Sequence, residues 1–140
     1  WTGLSMTDEG RLERLQRRAI RIILGLQYTT PLTPNHYSAA SVKTLKHRRS
    51  FASLCYGYKL INNLLPSKLN KLIPLYTQHP YATRNPALAL PGIPARARRL
   101  MDHSPISVTV RLLNTIPLPI RELPSLSEFK SNISSRDFSV

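Results

Sequence analysis

Apolar residues return with a helical period over residues 8–25. At about 100° per residue, Leu12, Leu15, Ala19, Ile22, Ile23 and Leu26 fall within about 100° of arc. Arg11, Arg14, Arg17, Arg18 and Arg21 fall within about 120° on the adjoining side. The pattern predicts an amphipathic helix whose apolar stripe is a core seam and whose polar face is nearly all arginine. Asp8 and Glu9 suit a first turn, Ser5 and Thr7 offer caps, and Gly25 is a natural stop.

The stretch 29–38, with Pro31 and Pro34, has no periodicity and predicts a linker. Residues 39–65 predict a helix with a break near His47. One face carries Phe51, Leu54, Cys55, Tyr58, Ile61 and Leu65; another gathers Arg48, Arg49, Tyr56, Lys59 and Asn63. Gly57, in mid-helix, costs about 1 kcal/mol against alanine, which points to a close packing neighbour or a kink. Pro66 closes this helix and can open a short one over 66–74, presenting Leu69, Leu72 and Ile73.

Residues 75–104 are rich in proline and hold "ARARR" at 95–99; they predict a long connector. The stretch 104–117 reads as strand by its β-branched content and as helix by Ser104 followed by Pro105; helix is the expectation. Ser125 with Glu128 forms the pattern of a capping box, and Leu126, Phe129 and Ile133 make the stripe of a last helix over 125–133. No internal repeat is present. The expected fold is all-α: a small irregular bundle of four to six helices. A basic helical subdomain (1–74), a Pro/Arg-rich connector (75–104) and a C-terminal helical segment (105–140) divide it.

Charge then changes the picture. The 140 residues carry 20 Lys+Arg against 7 Asp+Glu, a net charge of +13. Such an excess favours an anionic partner. No apolar run approaches the ~20 residues of a spanning helix, and no signal peptide is visible, so no membrane partner is expected. The chain begins at Trp1, which suggests a piece of a longer polypeptide. Cys55 is the only cysteine, so no internal disulfide can form, in keeping with an intracellular setting.

Catalytic chemistry finds little support. The seven acids are scattered, with no paired aspartates for two-metal work. His36, His47, His79 and His103 lack ligand spacing with one another or with Cys55. Asp102, His103 and Ser104 are adjacent in the chain, which is not how a triad is assembled. No glycine-rich phosphate loop occurs. The expectation is a chain without catalytic residues, metal or cofactor.

Several phrases nonetheless stand in a particular order: Trp1 and then "LQRRAIRIILG"; "LKHRRSFASLCYGYKLINNLLP"; "YATRN"; and "RLLNTIPLPIRELPSLSEFKSNI". From Trp1 to about Ile133, this succession resembles the region downstream of the polymerase domain in reverse transcriptases of non-LTR retrotransposons, of the jockey, CR1 and RTE kinds. Where such elements often place a tryptophan before the asparagine of N-x-x-P, this chain has Leu113. The resemblance implies a parent with RNA-directed DNA polymerase and endonuclease activity, whose metal-binding aspartates lie upstream. This chain would then be the helical segment at or beyond the thumb, gripping RNA or DNA.

The arginines point the same way on their own. A helix of 18 residues is about 27 Å long, enough to track several phosphates, and the planar guanidinium suits phosphate geometry. The expected nucleic-acid contacts are Arg11, Arg14, Arg17, Arg18, Arg21, Arg48, Arg49, Tyr56, Lys59, Arg96, Arg98 and Arg99. Tyr56 reads equally well as a stacking platform or a packing edge. Against this stand a module docking an acidic partner or the upstream polymerase domain, and a decayed relic. The setting expected for a nucleic-acid partner is the nucleus or cytoplasm.

Overall fold

The structure, a computed structural model, describes residues 4–72 and 104–136. The described residues form seven helices and no strand: α1 (Met6–Ile23), α2 (Pro34–Ala39), α3 (Leu45–Ile61), α4 (Ser67–Leu72), α5 (Pro105–Thr115), α6 (Leu118–Arg121) and α7 (Leu126–Ser134). The all-α class expected from the sequence is the class observed. The connector expected over 75–104 lies, except for Ser104, outside the described residues.

Local chemistry sets the helix ends. The four longest described helices each open on a hydroxyl that accepts from the third residue beyond it. Ser5 takes the Asp8 N–H, Thr44 that of His47, Ser104 that of Ser107, and Ser125 that of Glu128, each at 3.2 Å. Three helices close alike. Gly25, Ser41 and Asn63 take positive φ of 63°, 54° and 54°. Beyond them, the amides of Leu26, Val42 and Leu64 donate to the carbonyls of Arg21, Tyr37 and Lys59 at 2.9, 3.0 and 2.8 Å. This pairing satisfies carbonyls that a helix end leaves open.

The core lies where α3 meets α5 and α7. Leu54 and Tyr58 of α3 pack with Val110, Leu112, Leu113 and Ile116, and with Phe129 and Ile133 of α7. Phe51, Cys55 and Ile61, half-buried, flank this cluster, so the apolar face read from the periodicity of α3 is the core face. The Tyr58 and Phe129 rings stack with centroids 4.5 Å apart, and the Tyr58 hydroxyl donates to the Leu123 carbonyl. Gly57 has the close neighbour its position suggested. A Cβ there would come within 2.6 Å of Leu113 Cδ1 and 2.7 Å of Thr109 Cγ2, so α3 and α5 touch backbone to side chain.

The ambiguous stretch 104–117 is helical. Ser104 caps it, Pro105 occupies its first turn, and Val110 and Leu113 are buried against α3. Packing a helical stripe outweighs the strand preference of the β-branched residues here. Two other boundaries move. The expected linker holds α2, opened by Pro34, and the break expected near His47 falls instead at residues 40–44. The one-turn helix α6, between Pro117 and Glu122, has no periodicity to announce it.

The largest departure concerns α1. Its expected core seam faces outward: Leu15, Ile22 and Ile23 are 64%, 72% and 68% exposed. Ile20, outside that stripe, is the buried residue of α1. The helix meets α3 and the residues just before it through Glu9, Glu13 and Gln16, which with the buried Ile20 make a run of helical spacing that is mostly polar. Glu13 Oε1 accepts from the amides of Leu45 (2.8 Å) and Lys46 (3.3 Å), Gln16 Nε2 donates to the Lys43 carbonyl (2.8 Å), and Glu9 pairs with Arg49 at 3.0 Å. The cause is the surface that α3 offers. Its first-turn amides and the Arg49 guanidinium require acceptors, and a leucine stripe laid there would bury those donors unsatisfied.

Candidate nucleic-acid interface

Turning α1 by its polar seam decides which arginines meet solvent. Arg14, Arg17 and Arg18 are exposed, and none makes an ion pair among the described residues. Arg11 is exposed and pairs with Asp8 at 3.2 Å, a surface contact between two well-solvated groups. Arg21 is half-buried. Its Nε donates to the Thr30 carbonyl at 2.9 Å, and its guanidinium lies 5.9 Å from the centre of the Tyr28 ring, so it pins the loop after α1.

Arg49 must be taken out of the expected contact set. Its side chain is 5% exposed and pairs with Glu9, because α3 turns that position toward α1 rather than toward solvent. Arg48 is exposed, and Tyr56 and Lys59 are half-buried, on α3. Arg96, Arg98 and Arg99 lie outside the described residues.

Beside α1 the fold builds a groove that no single stretch of sequence contains. It encloses about 1030 Å³ between α1, the segment around α2 and the end of α7. Arg17 and Arg21 come from α1, Tyr37 from α2, Lys43 and His47 from the start of α3, and Arg136 from just past α7. Its described lining carries four formal positive charges and no carboxylate. Such a concave, one-signed surface concentrates anions. Tyr37 adds a half-buried ring of the kind on which a base can stack.

Lys43, Tyr37 and Arg136 were not legible as site residues. Lys43 falls in the stretch 39–65 whose pattern predicts helix, Tyr37 in the aperiodic stretch 29–38, and Arg136 beyond the last periodic element. The segment between α1 and α3 brings Tyr37 and Lys43 beside α1, and the end of α7 adds Arg136.

Nothing in the described residues gathers three or more His, Cys, Asp or Glu side chains into a metal-binding group. Cys55 is half-buried against the core. Burial pushes its thiol pKa up, with Lys130 and Lys59 pulling it down less strongly. It is therefore a packing thiol and not an activated nucleophile at neutral pH. No described helix is long and apolar enough to cross a membrane.

No family model, no curated protein and no solved structure matches the chain.

Proposed function

We propose that the chain binds RNA or DNA through phosphate contacts, as a non-catalytic segment of a non-LTR retrotransposon reverse transcriptase. The observation that carries this reading is the exposed band Arg14, Arg17 and Arg18, continuous through Arg17 with a groove that holds Lys43 and Arg136 and no described acid. Guanidinium groups left without carboxylate partners are available to phosphates, and a net charge of +13 steers the encounter. The order of sequence phrases noted above supports the parentage and, with it, an intracellular setting in the nucleus or cytoplasm. The upstream polymerase domain is then a partner within the parent protein.

The experiment is a salt titration of binding to a labelled single-stranded RNA and to a duplex DNA. It compares the parent chain with the Arg14→Gln/Arg17→Gln variant. Binding should weaken steeply as salt rises. The slope of log K against log salt should fall by about 0.7–0.9 for each phosphate contact removed. A variant with an unchanged slope, or a parent that binds neither probe at physiological salt, refutes the reading.

A second reading, compatible with the first, is that the chain docks an acidic protein partner. The exposure of Leu15 and Ile22 on α1 favours it.

A further inference from the structure

The outward stripe of α1 has a register of its own. Leu12, Leu15, Ala19 and Ile22 follow one another at intervals of three, four and three residues, which is the a/d spacing of a coiled-coil seam. Leu15, Ala19 and Ile22 are exposed and Leu12 is half-buried. The residues just before the two a positions are Arg11 and Arg18, so one flank of the seam carries a cation in each heptad. The opposite flank carries Gln16, which is already committed to the Lys43 carbonyl, and the exposed Ile23.

We infer that α1 presents a two-heptad docking seam for an amphipathic helix of another protein, with apolar a/d residues and acidic residues on the flank that meets Arg11 and Arg18. The inference rests on the protein-docking reading and deepens it by naming the partner's chemistry.

Four features select this occupant. The helix is preformed and held on α3 by Glu9, Glu13 and Gln16, so a partner need not supply the ordering of α1. The flank is cationic, and flanking charges choose coiled-coil partners. Pairing α1 with α1 of a second copy offers nothing acidic to that flank. Of the acids on α1, Asp8 pairs with Arg11, Glu9 with Arg49, and Glu13 holds the start of α3; two like chains would set arginine against a chain of net charge +13. The seam is narrow and carries no tryptophan or phenylalanine, unlike a helix face that inserts into lipid.

The arginine band divides accordingly. Arg11 and Arg18 border the apolar seam, whereas Arg17 borders the basic groove. The chain can therefore hold a protein helix and a nucleic acid on two sides of α1.

The test measures binding of synthetic helical peptides by anisotropy. One peptide has leucine or isoleucine at a/d and glutamate on both flanks. A second keeps the glutamates but has serine at a/d, and a third keeps the apolar seam but carries lysine on the flanks. The first peptide should bind. Leu15→Ser/Ile22→Ser in the protein should weaken it at least about tenfold, because two exposed apolar side chains would be buried in the complex. Arg11→Gln/Arg18→Gln should weaken it and flatten its salt dependence. The second and third peptides should bind poorly.

Circular dichroism of the Leu15→Ser/Ile22→Ser variant should match the parent, since both side chains are exposed. Equal binding of the first two peptides, or indifference to Leu15→Ser/Ile22→Ser, overturns the inference, because attraction would then be charge alone. Binding of the same stripe to phosphatidylcholine vesicles containing phosphatidylserine, lost in Leu15→Ser/Ile22→Ser, also overturns it in favour of a lipid surface. RNA binding by Leu15→Ser/Ile22→Ser should equal that of the parent. A chain that binds the first peptide but no nucleic acid refutes only the nucleic-acid reading.

Discussion

The contact of α3 with α5 and α7 and the contact of α3 with α1 join helices by opposite means. The first is dry: Leu54, Tyr58, Leu113, Phe129 and Ile133 are each at most 1% exposed, and a glycine lets α5 approach α3 closely. The second is polar. Its stabilising contacts are Glu13 on two amides, Gln16 on a carbonyl and Glu9 on Arg49, with Ile20 as the buried apolar residue of α1. Glu13 Oε2 and Gln16 Oε1 are buried there without hydrogen-bond partners among the described residues, so the polar seam is incompletely satisfied. Hydrophobic contact holds wherever shapes fit, whereas a hydrogen-bonded contact fixes rotation. The core therefore gives α3, α5 and α7 their stability, and the polar seam sets which face of α1 looks outward.

Five substitutions sharpen or break that contrast, each read by urea unfolding followed by circular dichroism. Phe129→Ala should show the largest loss, about 3–5 kcal/mol, because it opens a cavity at the centre of the dry contact and removes the ring stacked on Tyr58. Gly57→Ala should come next. Helix propensity alone predicts a gain of about 1 kcal/mol. The new Cβ would meet Leu113 Cδ1 at 2.6 Å, and the overpacking should reverse the sign, with a net loss of about 1–3 kcal/mol. A net gain there would show that α5 moves aside freely.

Glu13→Ala should cost about 1–2 kcal/mol, the scale of a lost helix cap, since two first-turn amides of α3 lose their acceptor. Leu15→Ser and Ile22→Ser should each change stability by less than about 0.5 kcal/mol. A loss of 2 kcal/mol or more at either would place that residue in a core and reverse the reading of α1.

The two contacts were not equally visible beforehand. Most of the helices, the caps Ser5, Ser104 and Ser125, the stop at Gly25 and the core face of α3 were legible because each depends on neighbours three or four residues away, whereas the cap Thr44 lies inside the stretch whose pattern predicts unbroken helix. The close neighbour of Gly57 was legible as a requirement, though not as Leu113. The rotation of α1 was not legible. Its apolar stripe and its polar seam both have helical spacing, and the stripe is the more hydrophobic. The choice turned on what α3 presents, namely open amides after Thr44 and the guanidinium of Arg49. The same rotation removed Arg49 from the expected contact surface and left Leu15 and Ile22 outside.

The groove was hidden for a related reason. Lys43, Tyr37 and Arg136 lie far from Arg17 in sequence, and none carries a motif. Tyr37 and Lys43 face Arg17 because the segment between α1 and α3 folds back on α1, and Arg136 joins them because α7 ends near that segment.

The sequence by itself determined the helical class, the caps at Ser5, Ser104 and Ser125, the face of α3 that packs, and the excess of positive charge, because these follow from short-range periodicity and composition. The tertiary structure alone decided which arginines are free, which leucines remain uncovered, and where the positive charge becomes concave. Those depend on satisfying donors and acceptors between helices distant in the chain, and that condition has no local signature.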